Sequence, residues 1–240
     1  MHFIIDPYRF GETDPYIAYV TWLMHFDGAN GGTTFTEEMG HTMTRAGSPY
    51  TSATQYKFGP TSMRCEYDGL GRHGALTHAQ TADLSFGSGE YCIEWWQRTD
   101  SVVGESCPLD FRASGSPGAA GSLLFLPSGT SMRVYNGANT LRLTAASTLV
   151  ANVWQNWVLD AYIDPGSPTQ RVATLYLDGV SVGSWVDAVN YATTVPISIG
   201  RTVNNTRWIT GYIDELRSTK GLSRYQGANF TPQTAPWPNS

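Results

Sequence analysis

Strand-length runs of alternating apolar and polar residues recur along this chain of 240 residues, and no stretch of 12 or more holds a helical 3.6-residue period. A chain built this way buries one face of each short run, so it must stack sheets rather than helices. The clearest runs are Ile93 to Arg98, Ser122 to Leu126, Ser131 to Tyr135, Trp157 to Ile163, Val172 to Leu177 and Ser181 to Trp185, with Gly, Asn, Pro or Ser between them. Leu177-Asp178-Gly179-Val180 places Asp-Gly between two runs, which predicts a tight hairpin, and Asn136-Gly137 predicts another. Leu222 to Tyr225 is the one place where a single helical turn is expected.

Composition supports the same class. Aromatics reach 12%, with 8 Trp and 13 Tyr, and such residues suit a pleated, half-buried surface. Charged residues are only 15%, against about a quarter in an average soluble domain. The net charge of -5, with no basic stripe, argues against a duplex-binding protein and predicts no nucleic-acid partner. No apolar run approaches the roughly 20 residues of a membrane span. The opening MHFIIDPYRF lacks a signal-peptide pattern. These features predict an all-β, two-sheet antiparallel sandwich in one domain. Residues 1–21 form an arm whose apolar side chains suit docking, and residues 22–240 form the sandwich, ending in a Pro-rich strip laid over it.

The ordered series of short motifs resembles laminin-G-like, concanavalin-A-like jelly rolls. Its members are Leu23-Met24-His25-Phe26-Asp27-Gly28; Lys57-Phe58-Gly59 through Tyr67-Asp68-Gly69; Phe86-Gly87-Ser88-Gly89-Glu90-Tyr91-Cys92-Ile93-Glu94-Trp95-Trp96; Trp154 to Leu159; Leu175 to Gly179; Ile197 to Arg201; and Gly211 to Arg217. The closing residues Ser218 to Tyr225, Asn229-Phe230-Thr231-Pro232 and Pro236-Trp237-Pro238 resemble the end of tailed-phage and prophage copies of the domain. The resemblance implies a sandwich of twelve to fourteen strands that binds glycans or protein surfaces. It implies a non-enzymatic virion decoration protein, present in many copies or as a homo-oligomer. The arm would hold it to other virion proteins, and host-surface polysaccharide would be its ligand. A soluble lectin module and a glycoside hydrolase are the alternatives.

Candidate site residues follow. Sugars stack on aromatic faces and bond to short amides and hydroxyls, so Asn204, Asn205, Arg207 and Trp208 in one connecting loop, with Tyr191 before the preceding strand, are the glycan-binding candidates. The resemblance also implies calcium near Asp27 and Asp214, although Thr36 to His41 replaces the usual Asp-rich loop. A calcium ion takes six to eight oxygens, so carbonyls and waters would have to complete the shell. Glu90 and Glu94 echo the paired-glutamate strand of jelly-roll glucanases, but Cys92 occupies the middle position; both are read as solvated or rim charges rather than catalytic acids. In Gly211 to Arg217, strict alternation would force one face to bury a charge. Cys65, Cys92 and Cys107 lack metal-knuckle spacing, and a Cys65–Cys92 disulfide requires neighbouring strands.

Overall fold

The computed structural model describes residues 13–66, 73–112, 123–137, 140–146, 148–192 and 194–239. Much of the expected arm, the motif residues Tyr67, Asp68 and Gly69, and Ser122 lie outside the described residues. Among the described residues a 3-10 turn, Ile17–Tyr19, leads into fifteen strands. They are β1 Val20–Met24, β2 Thr44–Ala46, β3 Tyr50–Ser52, β4 Ser62–Cys65, β5 Ala75–Thr81, β6 Tyr91–Thr99, β7 Leu109–Asp110, β8 Leu123–Phe125, β9 Met132–Asn136, β10 Thr140–Ala145, β11 Gln155–Ile163, β12 Arg171–Leu177, β13 Val180–Val186, β14 Val195–Ile199 and β15 Gly211–Lys220. Leu222 to Tyr225 is not helical: the amides of Ser223 and Arg224 go instead to the carboxylates of Glu90 and Asp160.

Two antiparallel sheets result. The first runs β13-β12-β11-β6-β15-β4-β3, with β1 continuing the β4 side of β15; the second runs β10-β9-β8-β7-β14-β5-β2. The Asp-Gly hairpin joins β12 to β13, with both turn residues at positive φ (49° and 79°), as a primed turn requires. Alternate residues of each sheet fill the layer between them, including Trp22, Trp95, Trp157 and Leu159 from the first and Leu109, Phe125, Val134 and Ile197 from the second.

β15 departs from strict alternation. Asp214 pairs with Trp96 and Arg217 with Glu94, so two residues of β15 stand opposite one of β6. Glu215 takes the left-handed conformation at φ 48°, at a cost of about 1 kcal/mol. The bulge sends Ile213 and Leu216 together into the inter-sheet core and leaves Asp214 and Arg217 for the outer face.

That outer face is sealed by the chain's two ends. Arg217 donates to Glu94 Oε2 from Nε (2.9 Å) and Nη2 (2.6 Å) and to Asp14 Oδ2 from Nη1 (2.9 Å). Arg224 adds a second guanidinium on Asp14 (2.8 Å), and the Tyr225 hydroxyl donates to Glu94 Oε1 at 2.5 Å. Trp237 lies 4.3 Å from the Arg217 guanidinium and packs with Val20 and Leu23. Burial would raise the Asp14 carboxyl's pKa, but the hydrogen bond from Arg224 and the two guanidinium charges hold it below its usual value.

Asp14 and the strand Val20–Met24 are held on the first sheet. One expectation is corrected here. Glu94 is neither solvated nor at the rim: it is 1% exposed beneath the tail. Glu90 likewise spends its carboxylate on the amides of Ile163 and Ser223. The three cysteines are free and buried; β15 separates β4 from β6, and Cys65 faces the core whereas Cys92 faces outward, so the two cannot bridge.

Because both partners are buried, removing one leaves an unpaired charge. Glu94→Gln and Arg217→Met should each destabilise the fold by roughly 3–5 kcal/mol. Equilibrium denaturant unfolding will measure it, and a loss below about 1 kcal/mol would mean the tail is held by packing alone.

Candidate functional site

The site is built on the outer face of the second sheet. β7 is short because Asp110, fully buried there, turns its carboxylate to the chain around it: it accepts from the backbone amide and Nε of Arg112 (2.9 Å each) and from Arg112 Nη2 (2.8 Å). Oδ2 also accepts from the amide of Val203 at 2.9 Å, which pins the segment after β14 against the sheet.

That segment is a hairpin. The Thr202 amide donates to Arg207 O, Arg201 pairs with Trp208, and Asn205 turns the corner at φ 54°. The Thr202 hydroxyl accepts from the amides of Thr206 (3.0 Å) and Arg207 (3.1 Å), and Thr206 Oγ1 donates to Asn204 Oδ1 at 2.8 Å. One hairpin face carries Thr202, Asn204, Thr206 and Arg207 towards a cleft of about 210 Å³, whose other walls are Leu124, Leu126, Tyr135, Glu105 and Arg112. Arg207 Nε donates to Glu105 Oε2 at 2.5 Å across the mouth.

The five glycan-binding candidates separate. Asn204 and Arg207 line the cleft. Asn205 and Trp208 do not: Asn205 accepts from Arg201 at 3.0 Å, and Trp208 stacks on His73 with centroids 3.5 Å apart. Tyr191 is 1% exposed in the core, its hydroxyl on Asp187 and Asn136, so it has no ring face for a sugar. Tyr135, Leu124 and Glu105 escaped sequence reasoning because nothing local brings β8, β9 and the residue-105 segment beside the hairpin. The alternation in Ser131 to Tyr135 is the signal that could have placed Arg133 and Tyr135 on one face.

A larger depression, about 370 Å³, lies where Arg171 and Asp187 approach the surface beside Val186 and Val189. Its floor is occupied with structure: Arg171 donates to the carbonyls of Gly87, Gly89 and Val189 and to Asp187, and Asp187 also accepts from Tyr91. The smaller cleft, with amide and hydroxyl groups beside an aromatic ring, has the chemistry of a binding site.

The calcium candidates do not make a cage. Asp214 is buried, Oδ2 accepting from the amides of Lys57 (2.7 Å) and Phe58 (3.2 Å) and Oδ1 from Glu215 (3.0 Å). Burial, reinforced by the Glu215 charge, raises its pKa well above the carboxylate range despite those amides. Asp27 is exposed, and its Oδ1 would lie 2.1 Å from a Cβ at Gly59. Among the described residues no group of three or more His, Cys, Asp or Glu side chains is placed to hold a metal. These side chains do not fit the six to eight oxygens a calcium needs.

Residues 73–221 match Laminin_G_3, described as the Concanavalin A-like lectin/glucanases superfamily. No curated protein matches the chain in sequence. Among solved structures, Domain 4 of AbnA, a GH43 extracellular arabinanase from Geobacillus stearothermophilus in complex with arabinotriose, is similar at a TM-score of 0.63 and 14% identity, over 86% of this chain and 95% of that one. The binding domain of botulinum neurotoxin DC, in complex with rat synaptotagmin II, is similar at 0.61 and 10% identity, over 87% of this chain and 50% of that one. A structure of botulinum neurotoxin type C, whose cell entry depends on two ganglioside molecules, is similar at 0.61 and 11% identity, again over 50% of its length. The chain thus spans half the length of these toxin structures, and at such identities the likeness establishes the fold alone. No helix among the described residues is long and apolar enough to cross a membrane.

At the rim, His25 gives a pH dependence. Burial opposes its protonation, yet the hydrogen bond (2.8 Å) and charge of Glu215, aided by Asn239, raise its pKa from 6.5 to about 9. Its contribution to stability is complete below about pH 6.5 and is lost as pH rises through 9. Thermal midpoints taken from pH 6 to pH 10 should fall in the native protein and fall less in His25→Gln; His41 and Asp214, also raised, contribute to the remaining slope. Parallel slopes would remove His25 from the linkage. With the match covering more than half of the chain, this protein belongs to the concanavalin A-like lectin/glucanase superfamily.

Proposed function

We propose that this chain is a non-catalytic carbohydrate-binding module whose ligand occupies the cleft between Tyr135 and the 201–208 hairpin. The observation that carries the reading is the convergence of an aromatic ring, an apolar floor and short polar side chains on one open face. Those are the groups a sugar needs: a plane for its C–H face and donors and acceptors for its hydroxyls. The volume, about 210 Å³, is below the roughly 300–1,000 Å³ of pockets for drug-sized ligands and suits one ring of a longer chain. The related arabinanase domain holds arabinotriose, and the related toxin interacts with gangliosides, which supports a sugar as the ligand class.

Binding without turnover fits the state of the two glutamates suggested by the glucanase-like strand. Glu94 is consumed by Arg217 and Tyr225, and Glu90 by backbone amides. The resemblance of Ser218 to Tyr225 and the residues after it to tailed-phage copies favours display on a virion, with host-surface polysaccharide as the natural ligand. Co-sedimentation of the chain with purified particles tests that placement.

Purified protein on a broad bacterial polysaccharide array should show selective binding. By calorimetry, Tyr135→Ala should weaken it at least tenfold, as loss of a central aromatic contact does. Asn204→Ala should weaken it about two- to tenfold, the worth of one hydrogen bond. Binding should survive EDTA, because the cleft contains no calcium cage. Absence of any glycan binding across the array would overturn the proposal.

A further inference from the structure

We propose that the cleft selects an acidic glycan, one whose sugar ring carries a carboxylate; this rests on the carbohydrate-binding reading above. The observation is a mismatch of charges at the mouth. Two guanidinium groups share one carboxylate: Arg207 Nε lies 2.5 Å from Glu105 Oε2, and Arg133 Nη1 lies 3.9 Å from Glu105 Oε1. All three side chains are half-open to solvent, at 44%, 34% and 33% exposure for Arg207, Arg133 and Glu105. The deeper pair, Arg112 with Asp110, is neutral within itself and buried. The mouth therefore carries one positive charge in excess, in a chain whose net charge is -5. Residues 113–122, which follow Arg112, contain no ionisable side chain.

The geometry directs that excess. Arg133 and Tyr135 are two apart on β9 and share the outer face, so their Cα atoms stand roughly 7 Å apart along the strand. A sugar lying on the Tyr135 ring thus places a substituent at its rim within reach of Arg133. Guanidinium groups present paired donors that match a carboxylate in two parallel hydrogen bonds, which a hydroxyl cannot reciprocate. Glu105, already committed to Arg207, leaves Arg133 at a distance where a second carboxylate can enter.

Calorimetry with two acidic probes tests this: oligogalacturonate and a sialylated oligosaccharide, each as the free acid and as its methyl ester. One acid form should bind at least tenfold more tightly than its ester, and the difference should shrink between low and high salt because the groups are exposed. Arg133→Gln and Arg207→Gln should each erase the preference, while Arg207→Lys, which keeps the charge, retains part of it. Unchanged circular dichroism and thermal midpoints will show that the variants fold. Esters binding as tightly as acids, or binding of neutral glycans alone, overturns the inference and leaves the carbohydrate-binding reading intact. Failure of acids, esters and the neutral array together overturns both.

Discussion

The buried guanidinium of Arg217 ties the two ends of the chain to the middle of the first sheet. It holds Glu94 on β6 and Asp14 before β1, and Asp14 in turn holds Arg224 in the tail. Each of these charges would be prohibitively costly alone in the interior, and together they balance. The condition for this arrangement is the bulge at Glu215. With strict alternation Arg217 would share a face with Ile213 and enter the apolar core. The conformational cost at one residue is exchanged for a core without charge and an outer face whose charges are paired.

The sealed face has a consequence for function. Beneath the tail, the carboxylates of Glu94 and Asp160 are held by protein donors, and Asp160, raised to about 6 by burial, is bonded to Ser223 and the Arg224 amide. Acids that the pattern of a glucanase strand would place in a cleft are here part of the tail's anchorage. The open cleft lies on the other sheet, where Asp110 plays the corresponding structural part. It pins the hairpin over the sheet without filling the cleft that the hairpin walls.

Much of the fold was legible because its determinants are local. Alternating runs, an Asp-Gly turn and a series of family motifs each span few residues, and the six clearest runs coincide with strands β6, β8, β9, β11, β12 and β13. The candidate site was legible only in part. Asn204 and Arg207 stood out because loops with amides and charges tend to bind, and both line the cleft. Trp208 and Tyr191 look identical in sequence to exposed aromatics; stacking on His73 in one case and hydroxyl bonds to Asp187 and Asn136 in the other removed them. Asp27 is exposed whereas Asp214 is buried, and backbone amides from residues 57 and 58 answer Asp214.

Periodicity and turn chemistry act between near neighbours, so the class of fold, the positions of most strands and the loop that carries the polar side chains were set locally. Which sheet is sealed and which is open, the burial of Glu94 as an anchor, and the meeting of Tyr135, Glu105 and Arg133 with Arg207 came from long-range packing. Those outcomes depend on strand order and on a one-residue bulge, both set by contacts between residues far apart in the chain, such as Asp14 and Arg217, 203 positions apart.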